Sequence, residues 1–367
     1  MQLGVFSFGD REAEKDGDLL PPGIVLAQAL ERIKLADEVG LGFYGLGEHH
    51  IDRYAVSSPA TVLAAAASIT KNITLSSSVT VLSSEDPVRL YQQFATLDLL
   101  SSGRAEIIAG RGSFTESFPL FGASLNDYDA LYDEKLELLL RIDAANPVTW
   151  HGRFREPLTA AGIYPRPYTR HLAISEGTGG SPGSSVRAGL LGLPIVYAII
   201  GGHPEAFAPR VDLYRQASAE SGHGTDNQHV TFSGIGLVAD RSQDAKDTFY
   251  PHWQRMMNEG ARARGWHRPS REDYEDYTAG SQMLFAGSPA EIAERIITVG
   301  SRVGAQRYGL QMDWAGVPHA AVMRAIELLG TQVRPAVEAE LGVGGDVHDA
   351  TPVRPNPNAV AEPVGAR

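Results

Sequence analysis

Glu48, His49 and His50 stand together directly after a short apolar run, Phe43 to Leu46, and shortly before a Ser58-Pro59 helix start. A carboxylate and two imidazoles at the end of a strand have the chemistry of proton transfer, because histidine changes charge near neutral pH. Side chains alternate along a strand. If the strand runs on through this pair, only one of His49 and His50 faces the ligand and the other packs. A metal site on Glu48 and His50 is the rival reading, although no second ligand pair at fixed spacing, such as HExxH, accompanies them.

Two further stretches have the chemistry of anion binding. In Gly177-Thr178-Gly179-Gly180-Ser181-Pro182, glycines that let a phosphate approach the backbone N–H groups precede a helix N-terminus. A flexible turn is the plain alternative. Pro182 stands where a GxGxxG fingerprint needs glycine, so no dinucleotide site of Rossmann type is expected. Arg111, between Gly110 and Gly112 after another apolar run, offers a guanidinium fork to a phosphate. An ordinary surface arginine is the alternative there.

Strand–helix alternation supplies the elements that must position these residues. Leu3–Phe8, Phe43–Leu46, Ile73–Val81, Ala105–Ala109, Leu172–Ser175, Ile195–Ile200, Val230–Val238 and Arg307–Met312 read as eight strands. Leu26, Ala29, Leu30, Ile33 and Ala36 recur at helical spacing, and Ser58-Pro59, Asp86-Pro87 and Ser288-Pro289-Ala290-Glu291 are helix starts. Eight strands, each followed by a helix, predict an α/β fold of the TIM (β/α)8 barrel type. One domain is expected over residues 1–341, with rim insertions at about 111–171 and 239–306. Asn146–Thr169 shows no period, and in the second insertion two helical segments flank the Tyr-rich, acidic Glu272–Tyr277. Residues 342–367, rich in Gly, Pro, Ala and Val, read as a disordered tail. In such a barrel the ends of strands two, four and five converge on one face, which brings His49, Arg111 and the glycine turn together.

Composition excludes several classes. With 367 residues, 43% of them hydrophobic, and a net charge of −12, the chain is a globular protein that repels nucleic acid and anionic lipid. Having no cysteine, it has no disulfide, thiolate nucleophile or Cys-ligated metal, which suits the cytoplasm. Met1–Gly9 reads directly as a strand without a basic leader, and no apolar run nears the ~18 residues of a membrane span. A cytoplasmic protein without nucleic-acid or membrane partners is expected.

Five segments in order resemble one known family over roughly residues 1–340: GEHH at Gly47–His50, SSSVTVLSSEDPVR at Ser76–Arg89, LLSSGRAEIIAGRGSFTESFPLFG at Leu99–Gly122, GGSPGSSVRAGLLGLPIV at Gly179–Val196 and GSPAEIAERI at Gly287–Ile296. They are similar to the luciferase-like flavin monooxygenases, the family of bacterial luciferase and alkanal monooxygenase. The resemblance implies a luciferase-like barrel, FMN used as FMNH2, molecular oxygen and a small organic substrate. By motif, His49 matches the active-site histidine beside the flavin ring and Arg111 the arginine that meets the flavin phosphate. Gly180, Ser181 and the start of the next helix match the remaining phosphate contacts, and Glu176 and Gly177 line the flavin. Ser78-Val79 falls where a non-proline cis peptide lies against the ring, and Gly110 where the light-emitting members carry a reactive thiol, so light emission is not implied. The loop 272–286 differs enough that no substrate contact carries over. A separate NAD(P)H:flavin reductase and a homodimer are also implied. The alternatives are hydride transfer with a deazaflavin coenzyme, a non-catalytic flavin-binding protein, and a metal-dependent barrel hydrolase using Glu48, His50 and His319.

Overall fold

Short apolar runs become strands in this chain because both their faces are covered, by other strand side chains inside and by helices outside. The computed structural model describes all residues except 14–16, 113, 169, 200, 225–227, 266–267, 280–283, 345–346 and 350–367. Its barrel strands are β1 (Gln2–Ser7), β2 (Phe43–Leu46), β3 (Thr74–Val81), β4 (Ala105–Gly110), β5 (Ala173–Thr178), β6 (Ile195–Ala198), β7 (Val230–Val238) and β8 (Arg307–Gln311). Each pairs in parallel with the next, and β8 returns to β1, so the ring closes. The α/β barrel expected from the alternation is therefore the fold, and all eight strands fall where they were read. A further short strand, Leu284–Gly287, pairs with the end of β7.

Helices α1 (Pro22–Glu38), α2 (Pro59–Ala67), α3 (Pro87–Ser101), α4 (Tyr128–Ala144), α5 (Pro182–Leu191) and α6 (Ala208–Glu220) follow β1 to β6 in turn. After β7 come α7 (Ser242–Arg264), α8 (Arg271–Ala279) and α9 (Pro289–Val303), and α10 (His319–Leu328) follows β8. Proline opens α2, α3, α5 and α9, where its missing N–H costs no helical bond. Asp86 accepts the N–H groups of Val88 and Arg89 at 3.0 Å, and Ser288 with Glu291 forms a capping box.

The main core lies between the strands and the helices, while a smaller cluster of Phe6, Phe43, Ile108, Val196 and Val79 fills the barrel itself. At the amino ends of the strands, Arg307 meets Glu106 with two parallel bonds of 3.0 Å, and its guanidinium lies 4.1 Å from the Phe43 ring centroid. Ser175 donates to the same carboxylate at 2.9 Å, and Ser76 donates to it as well. Burial would raise the Glu106 pKa, but Arg307 and the serine hydroxyl outweigh it and hold the carboxyl below its usual range.

Two segments differ from their sequence reading. Val148–Trp150 and Leu158–Ala161 form an antiparallel hairpin inside the first insertion, too short to show a period of two. Glu272–Tyr277 lies inside α8 rather than between helices, because Tyr274 and Thr278, four apart, are the face it buries. Tyr274 packs 5.0 Å from both Tyr250 and Trp253 of α7. Within the stretch read as a tail, Val347–Asp349 is a 3-10 turn whose His348 ring bonds the Ala105 carbonyl at 3.2 Å; the residues from 350 onward are among those not described.

Candidate active site

At the carboxyl ends of the strands lies a cavity of about 450 Å³, a size usual for a small-molecule site. His49, Ser78, Val79, Gly110, Arg111, Gly177 and Ser181 all line it. The structure thus brings seven of the expected site residues together from the ends of β2, β3, β4 and β5. Ser113, in the Gly110–Ser113 stretch, lies outside the described residues.

His49 and His50 both face the cavity, against the alternation expected of them. The reason is that β2 stops at Leu46 and the chain then folds back, His49 donating its N–H to the Val56 carbonyl at 3.1 Å. The His49 ring stacks on Tyr54 with centroids 4.2 Å apart, and Phe8 and Phe114 present edges at 4.8 and 4.7 Å. Its Nδ1 meets Glu116 Oε1 at 3.0 Å. Burial pushes the Glu116 carboxyl up, but the bond from His49 and backbone N–H groups reverse this and hold it below its ordinary value. His50 Nε2 meets Glu48 Oε1 at 2.8 Å, and Glu48 Oε2 accepts the Val81 N–H at 3.0 Å. That bond to Glu48 outweighs burial and raises the His50 pKa.

The cavity floor is Val79. A Cβ at Gly110 or at Gly177 would approach a Val79 methyl to 2.6 Å, so only glycine fits on either side of it. The Ser78-Val79 peptide is cis.

Arg111 and α5 make the anion end. Arg111 pairs with the exposed Asp129 and donates to Ser184 Oγ at 3.3 Å. Ser181 caps α5 from the cavity wall. Two expected contacts are placed elsewhere. Gly180, at φ 100°, backs onto Phe207, and its N–H and that of Ser181 are taken by Thr178 Oγ1 at 3.1 and 3.3 Å. Those two N–H groups are therefore not the open cradle that the glycines suggested; the Ser181 hydroxyl and the first turn of α5 remain. Glu176 is fully buried behind the wall, bound by Arg187 at 2.6 and 3.3 Å. Arg187 also holds Asp133 at 2.9 Å.

An apolar Val79 floor between two glycines, with a guanidinium and a helix N-terminus in the same cavity, fits a flavin ring carrying a phosphate-terminated chain. The triad of Glu48, His50 and His319 does not assemble. His319 bonds Glu31 and Arg32 at 3.0 and 3.1 Å and does not line the cavity. Among the described residues no group of three His, Asp or Glu side chains is placed to hold a metal, and no helix is long and apolar enough to cross a membrane.

Tyr54, Glu116, Asp10, Gln311 and Trp314 also line the cavity and were not singled out from the sequence. Glu116 stands in the aromatic-rich stretch Phe114–Gly122 and Tyr54 follows the histidines by four residues, so both had a local signal. Nothing local marks Asp10, Gln311 or Trp314.

Fold and cavity define a parallel barrel with a small-molecule site at the carboxyl ends of its strands. The chain belongs to the luciferase-like monooxygenase family, whose model matches residues 1–307, and it is a flavin-dependent enzyme. It is 25% identical over 356 residues to the limonene 1,2-monooxygenase of Rhodococcus erythropolis, covering 93% of this chain and 88% of that one. Among solved structures, the monooxygenase RslO1 from Streptomyces bottropensis superposes with a TM-score of 0.81 at 23% identity, over 91% of this chain and 99% of its own. The oxygenating constituent of 3,6-diketocamphane monooxygenase from Pseudomonas putida, a type II Baeyer-Villiger monooxygenase in complex with FMN, gives 0.72 at 20% identity, over 92% and 98%.

Proposed function

We propose that the protein is an FMN-dependent monooxygenase that takes FMNH2 from a separate NAD(P)H:flavin reductase and uses O2 to oxygenate a small organic substrate, an aldehyde, ketone or similar molecule. One observation carries this reading: an anion end at Arg111 and Ser181, a glycine-flanked apolar floor at Val79 and a histidine–carboxylate pair at His49 and Glu116 share one cavity. Reduced flavin, when bound, supplies the electrons that activate oxygen. The remaining work falls to the chain. Arg111, Ser181 and the first turn of α5 hold the phosphate, and Asp129 competes with it for the Arg111 guanidinium. Glu116 anchors His49 through Nδ1, which leaves Nε2 to carry a proton to or from the reacting atoms. Phe8, Tyr54 and Phe114 pack around that ring and keep water away from it.

FMN is favoured over a deazaflavin coenzyme because Arg111 is the only Arg or Lys among the described residues lining the cavity, whereas a longer anionic tail needs more cations. The His49–Glu116 pair favours an enzyme over a passive flavin carrier. We place the protein in the cytoplasm as a homodimer; Ile69, Leu99 and Leu100, exposed at the ends of α2 and α3, suit a subunit contact.

The deciding experiment is anaerobic titration with FMNH2, then oxygen uptake with candidate aldehydes and ketones. His49→Ala should lower turnover by ~10²–10⁴ while FMN binding is kept. Unchanged turnover removes His49 from the mechanism, and failure of the wild type to bind FMN or FMNH2 ends the proposal.

A further inference from the structure

Four residues that line the cavity carry a buried polar atom with no partner: Gln311 Nε2, Trp314 Nε1, Asp10 Oδ2 and Ser117 Oγ. These residues are 1–6% exposed. Buried donors in folded proteins are nearly always bonded, so an orphaned set on cavity-lining residues marks polar groups that a bound molecule pairs with once their side chains turn to it. Ser117 follows β4, while the other three come from the β1 and β8 side. Gln311 ends β8 opposite Phe6 of β1, and Asp10 and Trp314 each stand three residues beyond those strands. Asp10 Oδ1 accepts the Ala315 N–H at 2.9 Å, which locks the two loops together and leaves Oδ2 free.

Ring order separates this wall from the anion end. In a closed ring of eight, β8 lies across from β4 and β1 across from β5, and Arg111 and Ser181 follow β4 and β5. A phosphate at Arg111 and a ring over Val79 occupy the half of the mouth that these donors do not face.

We propose that Gln311, Trp314 and Asp10 form the substrate-recognition wall, taking an uncharged molecule through a hydrogen-bond-accepting oxygen. The inference rests on the monooxygenase reading for what becomes of that molecule, but not for its binding. An amide NH2 and an indole N–H only donate here, so the partner atom accepts. Burial, and next the neighbouring Asp313, push the Asp10 carboxyl well above its ordinary pKa, which favours its protonated, donating form. The surroundings are apolar, Phe8, Tyr54, Ile235 and Met256, and no Lys or Arg among the described residues lines this side, so a carboxylate would arrive without a countercharge in contact with it. The His49 ring, against Phe8 and Tyr54, borders the same wall. A substrate held by its oxygen at β1 and β8 thus lies between the donors, the imidazole and the floor.

The test compares three probes by ligand-observed NMR titration of the whole protein: cyclohexanone, its acceptor-free isostere methylenecyclohexane, and cyclohexanecarboxylate. The wild type should bind the ketone about fivefold or more tightly than the isostere and bind the carboxylate least, one net hydrogen bond accounting for that ratio. Gln311→Leu and Trp314→Phe should each remove most of the preference while FMN affinity stays within about twofold of wild type. Three results overturn the inference: no ketone preference in the wild type, a preference untouched by either variant, or an FMN affinity that falls about tenfold or more, which would assign these donors to the cofactor. Because the probes are titrated without flavin, failure to bind FMN refutes the monooxygenase reading separately.

Discussion

His49 illustrates how little of a catalytic residue is the residue itself. An imidazole alone is an indifferent acid or base; Glu116, 67 positions away, fixes which nitrogen faces inward, and Tyr54 fixes the plane of the ring. Glu116→Gln should therefore lower turnover by ~10-fold or more, and less than His49→Ala does, with FMN affinity kept; oxygen-uptake kinetics measure both. His50 allows a pH test. Its raised folded pKa means that the protonated ring bound to Glu48 contributes stability that is fully present below the unfolded histidine value and is lost as pH rises through the folded one. Melting temperatures of wild type and His50→Gln should differ most at the acid side of the histidine range and converge above it. A difference that grows with pH would contradict the pairing.

At the scale of elements, the site depends on where β4, β5 and α5 end. Gly177 sits in β5 because Val79 of β3 occupies the space its side chain would need: a Cβ meets Val79 Cγ1 at 2.6 Å and Ile108 Cγ2 at 3.1 Å. Gly177→Ala should cost ~1–3 kcal/mol in urea denaturation and weaken FMN binding as the floor shifts. Arg111→Ala removes a charge-assisted contact of ~1.5–3 kcal/mol and should weaken FMN about 10- to 100-fold by fluorescence titration. Asp129→Asn should act the other way and by less, since Asp129 is exposed and its hold on Arg111 is largely screened.

For the whole molecule, the closed ring has a mouth that binds and a base that is sealed. The base is sealed by Glu106 and Arg307, 201 residues apart and both essentially inaccessible. Removing one partner strands a buried charge, so Glu106→Ala should cost ~3–5 kcal/mol of unfolding free energy, measured in urea. By itself the sequence determined the elements: period-two and period-3.6 patterns, proline after Ser58, Asp86, Ser181 or Ser288, and glycine where β3 presses on its neighbours are local signals, written within a few residues. From those the barrel followed, and with it the convergence of His49, Arg111 and the glycine turn. The hairpin in the first insertion was hidden because three- and four-residue strands carry too little pattern, and Glu272–Tyr277 because tyrosine and acid residues look like a loop until α7 gives them something to pack on. Only tertiary structure decided that both histidines face the cavity, that Thr178 takes the N–H groups of Gly180 and Ser181, and that Glu176 turns to Arg187. It alone placed Glu116 on His49 and set Gln311, Trp314 and Asp10 on one wall. The physical reason is range: a helix start is settled between neighbours in the chain, whereas a hydrogen-bond partner, or the lack of one, is settled between residues that meet only when the ring closes.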